Sequence, residues 1–301
     1  MSFKNYLWLF VLTISVQASV DTCKIPESLL SGNSMLIEKA SFSSSDLKRN
    51  ASVLKSMCVY HVSFKEGKYL WNMTLVYNRN NKHKGPFWFL PHDDENTAFN
   101  SAVYATKKYG GGFLAIESHG GRYYKGQDPN RNFGDTVETA RICSKQKYAA
   151  PRYSKNIFTI INAFKDKRIP YLAIHNNKNG WYGNGGTGGI SIQKSSHSTK
   201  SYASGKVKVG HRKGIKDEDS LVYIAGINSL PNKSKLSSLI KNGMHVKYEI
   251  VNKHNNDCSM SNYVILKKGS DYYNIEAEHG DIVAQKQMVD SLMRIIKINP
   301  L

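Results

Sequence analysis

Several features that would assign this chain quickly are absent from its sequence. Only four cysteines occur in 301 residues, and no two of them form a Cys-x-x-Cys pair, which argues against a zinc site built from cysteines. No internal repeat is visible, and no linker forces a second domain. The length lies in the range of one or two domains, so we expect a single domain.

Negative charge is also scarce. The chain carries 42 Lys and Arg against 23 Asp and Glu, a formal net charge of +19. A surplus of this size attracts anionic polymers. The lysines are spread along the chain and form no basic arm, so we expect no nucleic-acid partner. A soluble surface that is simply rich in lysine is an equally good interpretation.

Long apolar runs are missing except near the N-terminus. Lys4, the apolar stretch Leu7–Val16 and the small-residue pattern ending at Ala18 follow the order of a secretory signal. We predict a signal peptide over residues 1–18 and an exported domain over residues 19–301, periplasmic or secreted. The apolar stretch is too short to span a bilayer, so no transmembrane segment is expected in the mature chain. An uncleaved N-terminal anchor is the alternative.

The four cysteines all follow the predicted signal peptide. They are Cys23, Cys58, Cys143 and Cys258. An even number of cysteines in an exported chain favours disulfides. Three pairings are possible, and the sequence leaves the choice between them open.

Strand-like and helical patterns alternate along most of the chain. Strands are predicted at Cys58–Phe64, Tyr69–Tyr77, Phe87–Leu90, Phe113–Ile116, Tyr171–Ile174, Leu221–Ala225, His245–Val251, Tyr263–Leu266 and Tyr272–Glu278. Helices are predicted at Glu95–Tyr109, Thr136–Ser144, Ser154–Phe164, Lys235–Lys241 and Ile282–Ile298. This alternation predicts an α/β fold, with a mostly parallel, mixed central sheet and helices on both faces. The Gly- and Asn-rich stretch Asn176–Gly189 indicates a long loop near a site.

The predicted strand Phe87–Leu90 leads directly into residues that can carry chemistry. The strand breaks at a proline, and His92 and Glu95 follow before a helix begins. His175 ends another predicted strand in the same manner. Ligand sites in open α/β sheets lie at the carboxyl ends of strands. A catalytic zinc needs three protein ligands and an open position for water, and these three side chains are the candidates.

A long polar loop, Ser118–Gly134, follows the next predicted strand. It contains Asn130-Arg131, a pair suited to hold a carboxylate because arginine offers a planar fork of donors. Arg122, earlier in the same loop, is a candidate to stabilise an oxyanion. The alternative is a surface loop in which an arginine pairs with Asp128.

Four short motifs, in their order along the chain, resemble the zinc metallocarboxypeptidases. They are also similar to the related aspartoacylase and succinylglutamate desuccinylase group. The matching segments span most of residues 85–280 and are His92-Asp93-Asp94-Glu95, Asp128-Pro129-Asn130-Arg131-Asn132-Phe133, Leu172-Ala173-Ile174-His175-Asn176 and Tyr273-Asn274-Ile275-Glu276.

The resemblance implies a zinc carboxypeptidase-like fold and a role for each matching residue. Zn2+ would be bound by His92, Glu95 and His175, the substrate carboxylate by Asn130 and Arg131, the scissile carbonyl by Arg122, and the general base would be Glu276. The spacing from Arg122 to Asn130 is shorter than in digestive carboxypeptidases and nearer to that of the deacylase group.

Some roles stay open at the level of sequence. Glu278 lies two residues beyond Glu276 on the same face of a predicted strand and is the alternative base. Tyr248 and Tyr263 are candidates for a tyrosine that caps the substrate.

The resemblance implies a zinc hydrolase that cleaves a C-terminal peptide bond by zinc-bound water, and the predicted signal peptide implies that it is exported. Export and a basic surface suit peptidoglycan stem peptides as the substrate. One alternative is a zinc-dependent deacylase of N-acyl amino acids. Another is a non-catalytic, exported protein that binds polyanions.

Overall fold

The computed structural model describes residues 23–30, 35–79, 85–143, 145–177, 190–208 and 214–301. The predicted signal peptide, residues 1–18, lies outside the described residues, as does most of the predicted loop Asn176–Gly189. None of the helices in these ranges combines the length and apolarity that crossing a bilayer requires.

The described strands form a single mixed sheet. They are β1 (Leu36–Lys39), β2 (Met57–Glu66), β3 (Tyr69–Asn78), β4 (Phe87–Leu90), β5 (Gly112–Glu117), β6 (Tyr171–Asn177), β7 (Thr199–Tyr202), β8 (Leu221–Gly226), β9 (His245–Ile250) and β10 (Tyr272–Glu278). Their order is β1-β2-β3-β5-β4-β6-β10-β8-β9-β7. The central block β5-β4-β6-β10 is parallel, and antiparallel pairs flank it on both sides. The predicted α/β fold with a mixed central sheet is confirmed.

Helices cover both faces of this sheet. They are α1 (Glu27–Leu30), α2 (Ser45–Arg49), α3 (Ala51–Leu54), α4 (Asn96–Tyr109), α5 (Val137–Ile142), α6 (Pro151–Phe164), α7 (Lys233–Lys241), α8 (Met260–Tyr263) and α9 (Ile282–Ile295). One apolar core lies under α4, α7 and α9, and the other lies under α6.

Strand β4 shows why the sheet needs cover on both faces. Phe87 and Phe89 belong to the core under α6, whereas Trp88 and Leu90 belong to the core under α4. Successive side chains of a strand point to opposite faces, and all four are buried. Burying one such side chain stabilises the fold by roughly 1.5–3 kcal/mol. This short strand is therefore anchored from both sides, and it holds the residues that follow it.

Helix α4 begins directly after Glu95 and ends at a run of glycines. Gly111 has a φ of 65°, in the left-handed region that favours glycine. Gly112 N donates a hydrogen bond to Pro86 O at 3.0 Å. A Cβ atom at Gly111 would overlap this same carbonyl oxygen. The glycine run therefore lets the chain turn from α4 into β5 alongside the start of β4.

The predicted strand Tyr263–Leu266 is wrong, because this segment is helical. It belongs to α8 and to a π-helical turn over Val264–Lys268. The Ser259 side chain caps the first turn, and Gly269 ends the segment in the left-handed conformation. A short apolar run alone does not distinguish a strand from a buried helix, so the capping residues decide the conformation.

The four cysteines form two disulfides. Cys23 pairs with Cys58, and Cys143 pairs with Cys258. The first disulfide ties the N-terminal segment to β2. The second ties the segment after α5 to the segment that precedes α8. The expectation of disulfides is confirmed, and the pairing left open by the sequence is resolved.

Candidate metal centre

His92, Glu95 and His175 meet at the carboxyl edge of the parallel strands. His92 follows β4, Glu95 directly precedes α4, and His175 lies near the end of β6. All three are buried, and each offers one ligand atom so that these atoms lie within 4.8 Å of one another. The three residues predicted from the sequence as ligands are therefore brought together.

The Glu95 carboxylate lies between the two imidazoles. Its Oε1 is 2.7 Å from His92 Nδ1, and its Oε2 is 3.2 Å from His175 Nδ1. Asn176 N donates a hydrogen bond to the same Oε2 at 3.0 Å. Burial alone would raise the pKa of Glu95, but the two histidines outweigh it and hold the pKa well below its usual value. Glu95 is thus kept as a carboxylate in a buried position.

The second ring nitrogen of His92 is held by Asp128. His92 Nε2 lies 2.9 Å from Asp128 Oδ1, and both side chains are buried. Burial would raise the pKa of Asp128, yet the contact with His92 and the charge of Arg122 keep it well below its usual value. Asp128 therefore fixes the ring of His92 with Nδ1 directed at Glu95.

The ligand atoms of His92, Glu95 and His175 fit a zinc ion. Two histidines and one glutamate form one of the ligand sets of catalytic zinc sites. A carboxylate on the far nitrogen of a ligating histidine is the usual arrangement that orients such a ring. The backbone of β6 is also fixed, since Gln285 Nε2 donates to His175 O at 2.6 Å.

Arg122 lies at the rim of the trio. Its Nη1 is 3.3 Å from Glu95 Oε1, and its Nη2 is 3.6 Å from Asp128 Oδ2. The side chain is 39% exposed, whereas the two carboxylates are buried. The predicted proximity of Arg122 to the candidate ligands is therefore observed, and so is its pairing with Asp128.

Glu276 lies beside His175 in the sheet. The two residues are direct partners in the parallel register of β10 and β6. Glu276 is 3% exposed, and Asn274 Nδ2 donates a hydrogen bond to its Oε1 at 2.7 Å. Burial raises the pKa of Glu276, with His175 opposing the shift and Glu95 adding to it. A buried carboxyl with a raised pKa next to candidate metal ligands is suited to exchange a proton.

Glu278 is equally buried and lies near other carboxyl groups. The pKa of Asp217 is raised to about 8, first by burial, then by Asp219 and to a smaller extent by Glu278. Glu278 therefore lies near this pair of aspartates, whereas Glu276 is influenced by the histidine and glutamate of the trio.

Asn130 and Arg131 lie next to the trio on a short 3-10 turn. Asn130 Nδ2 is 3.5 Å from His175 Nε2, and its Oδ1 accepts a hydrogen bond from Met260 N at 3.1 Å. Arg131 Nε pairs with Asp257 Oδ2 at 3.1 Å. Asn130 thus lies beside His175, whereas the guanidinium of Arg131 contacts a carboxylate of the chain.

The two candidate capping tyrosines make contacts of other kinds. Tyr248 is buried in the core under α4, on the face of the sheet opposite Glu276, so its candidacy is wrong. The ring of Tyr263 stacks on Phe158 at 4.9 Å, and its hydroxyl lies near Asp135.

Sequence reasoning missed two residues that support the centre. The sequence predicts Asp128 only as the partner of an arginine in a surface loop. Its place two residues before Asn130 in the motif could have indicated that it belongs to the site. Gln285 lies in the distant helix α9, and nothing in the sequence pattern connects it to His175.

No protein-family model matches the chain, and no curated protein matches it. A candidate metallopeptidase from Shewanella amazonensis has a similar solved structure, with 11% identity, a TM-score of 0.46, and 88% of this chain and 99% of that chain covered. The solved structure of an aspartoacylase family protein from Mesorhizobium loti has 11% identity and a TM-score of 0.43, with 81% of this chain and 68% of that chain covered. The solved structure of a candidate carboxypeptidase A from Shewanella denitrificans has 11% identity and a TM-score of 0.40, with 83% of this chain and 67% of that chain covered. All three likenesses extend over most of this chain at 11% identity.

Proposed function

We propose that the protein is a zinc-dependent hydrolase of the metallocarboxypeptidase type, which cleaves a C-terminal peptide bond. The single observation that carries this proposal is the buried trio of His92, Glu95 and His175 with Glu276 as the strand neighbour of His175. A dedicated structural zinc site would be closed by four protein ligands. Three converging ligands with a buried carboxyl alongside suit a catalytic site instead.

In this proposal the trio holds Zn2+, and Asp128 keeps the ring of His92 in the binding orientation. When bound, zinc acts as a Lewis acid that polarises a carbonyl and lowers the pKa of water. Glu276 accepts a proton at its carboxylate and returns it to the leaving amine, because burial holds its pKa above the ordinary value. Such proton transfer contributes on the order of 100- to 10,000-fold in rate.

The arginines have separate roles in this scheme. Arg122 lies at the exposed rim beside Glu95 and is placed to stabilise negative charge that develops on the scissile carbonyl oxygen. Asn130 and Arg131 bind the carboxylate at the end of the substrate. Arg131 is 23% exposed and can exchange its contact with Asp257 for one with a substrate.

Export and the cell-wall substrate belong to the same proposal. Two disulfides among the described residues suit an oxidising compartment, in agreement with the secretory pattern of residues 1–18. We propose peptidoglycan stem peptides as the substrate, with anionic polymers attracted by the net charge of +19.

Metal analysis combined with a matched pair of peptides tests the proposal. Purified protein should hold about one zinc per chain, His92→Ala should hold little, and the exposed-site control His254→Ala should hold as much as the wild type. The zinc form should release the last residue of a peptide with a free C-terminus and leave the amidated peptide intact. Cleavage of N-acyl amino acids alone would favour a deacylase, and absence of bound zinc would overturn the proposal.

A further inference from the structure

A cavity of about 260 Å³ lies at the end of the sheet that faces away from the proposed metal centre. Arg79, one of its lining residues, directly follows β3, in which Tyr77 pairs with Gly112, the first residue of β5. His92 and His175 lie at the carboxyl ends of the parallel strands, whereas this cavity lies at their amino ends. It is therefore separate from the proposed active site.

The cavity forms where β1 stops short of the start of β2. β1 ends with Lys39, the register partner of Tyr60, and β2 extends past that point to its first residue, Met57. The connection through α2 and α3 closes the opposite side, and the disulfide between Cys23 and Cys58 also lines the cavity. Two strands and a covalent bond thus define its walls, so the cavity is preformed.

The floor of the cavity is apolar. It is lined by Ala40, Phe42, Leu54, Met57, Val59 and Tyr60. Leu54 and Met57 are buried, whereas Phe42 and Val59 are only partly buried against the core. Removing such surface from water favours the binding of a hydrocarbon chain. An apolar cavity of about 150 Å³ admits benzene, so this one has room for about ten carbon atoms.

The rim of the cavity is cationic. Lys39, Lys55 and Arg79 line it and are exposed, and none of the described lining residues is acidic. Among the residues that the structure describes, Lys55 and Arg79 form no ion pair. Arg131 and Arg168, by contrast, each contact a carboxylate of the chain. Positive charge at the mouth of an apolar cavity is complementary to a ligand with a hydrocarbon chain and an anionic end.

We propose that this cavity binds a single-chain anionic amphiphile, a medium-chain carboxylate, with its hydrocarbon chain against Phe42, Leu54 and Val59. The carboxylate group lies at the rim beside Lys55 and Arg79. The volume fits one short chain, which favours a free carboxylate over a lipid with two long chains. The inference goes beyond the proposed hydrolase and does not depend on it, because the cavity and the metal centre lie at opposite ends of the sheet.

Calorimetric titration with carboxylates of increasing length tests the role of the chain. Hexanoate, octanoate and decanoate are added to the purified protein below the concentrations at which they form micelles. The affinity should rise by about three- to fourfold for each added methylene, and longer chains should gain less once the cavity is full. An affinity that does not depend on chain length would overturn the inference.

The uncharged analogue decanamide tests the role of the rim. Decanamide has the same chain as decanoate and should bind at least about threefold more weakly, since exposed ion pairs each contribute modestly. This difference should shrink at about 1 M salt, which screens exposed charges. Equal binding of the two ligands at low salt would contradict the proposed contact with the rim.

Substitutions locate the bound ligand. Lys55→Gln and Arg79→Gln should each weaken decanoate binding by about two- to fivefold and leave decanamide binding unchanged. The matched control is Lys253→Gln, at an exposed lysine beyond β9, which should change neither. Ala40→Leu narrows the cavity and should weaken both ligands severalfold. If both charge variants bind decanoate as the wild type does, the ligand lies elsewhere and the inference is wrong.

Two further measurements separate this site from the alternatives. Removal of zinc with a chelator should leave decanoate binding unchanged, and loss of binding would place the carboxylate at the metal centre instead. Vesicles of phosphatidylcholine and phosphatidylglycerol should compete only weakly with decanoate. Binding of these vesicles through Lys55 and Arg79, without binding of decanoate, would make this face a membrane-docking surface and overturn the inference.

Discussion

His92 Nε2 lies 2.9 Å from Asp128 Oδ1, on the side of the ring opposite Glu95. Because Asp128 holds Nε2 of the ring, Nδ1 faces Glu95 and the other proposed metal ligand, His175. The pairing joins the segment after β4 to the turn that carries Asn130, whose backbone N–H also donates to Asp128 Oδ1 at 2.8 Å. One aspartate thus connects the proposed metal ligands to the proposed substrate-binding turn.

Replacing Asp128 by asparagine should weaken zinc binding by about 10- to 100-fold, as for other residues that orient a ligating histidine. The amide keeps the shape but loses the charge that favours the metal-binding orientation of His92. Competition with a chelating dye measures the affinity, with Asp271→Asn as the control. An unchanged affinity in a protein with wild-type melting behaviour would mean that Asp128 serves the turn alone.

The choice between the two glutamates of β10 can be decided by a matched pair of variants. Glu276→Gln should keep its zinc and lower kcat by about 100-fold or more, because a proton acceptor is lost beside His175. Glu278→Gln should keep most of the activity, since Glu278 lies near Asp217 and Asp219. Rates and zinc content measured together separate the two cases. The opposite result would move the role of base to Glu278.

The positions of the proposed ligands could be predicted because they depend on local sequence. His92 and Glu95 follow a four-residue apolar strand, and His175 ends another. Parallel strands bring such ends to one edge. The pair of Arg131 and Asp257 could not be predicted, because a loop and a segment far along the chain meet only after the sheet has formed. The segment Tyr263–Leu266 is helical although its short apolar run predicts a strand. Its capping residues, Ser259 and Gly269, decide between the two conformations.

Gly111→Ala should destabilise the protein by roughly 2 kcal/mol or more. The new Cβ atom would overlap the Pro86 carbonyl oxygen, and the φ of 65° disfavours a side chain. Gly269→Ala is a matched control, because Gly269 has a φ of 56° and no atom within 4 Å of an added Cβ. It should cost about 1–2 kcal/mol, the conformational penalty alone. Urea unfolding measures both, and equal losses would contradict the steric argument.

Glu249 should make the stability of the protein depend on pH. Burial raises the pKa of Glu249 to about 7 from an ordinary 4.5, and Asp257 adds to the shift. The folded chain therefore holds this proton more tightly than the unfolded chain, so the contribution favours folding at low pH. It is lost as the pH rises from about 4.5 through about 7.

Glu249→Gln removes this titration. Compared with the wild type, the variant should gain stability progressively between about pH 4.5 and about pH 7. Urea unfolding at several pH values measures the difference in the free energy of unfolding. A difference that is constant with pH would show that Glu249 does not hold a proton in the folded state.

The disulfide between Cys143 and Cys258 should support substrate binding as well as stability. Phe133 N donates to Cys258 O at 3.0 Å, so the segment before α8 is held against the substrate-binding turn. Replacing both cysteines by serine should cost about 2–5 kcal/mol and raise KM more than it lowers kcat, because the zinc ligands lie on other elements. Removing the disulfide between Cys23 and Cys58 should lower stability and leave KM unchanged. Equal KM values for the two double variants, measured where both are folded, would contradict a role for the Cys143–Cys258 disulfide in substrate binding.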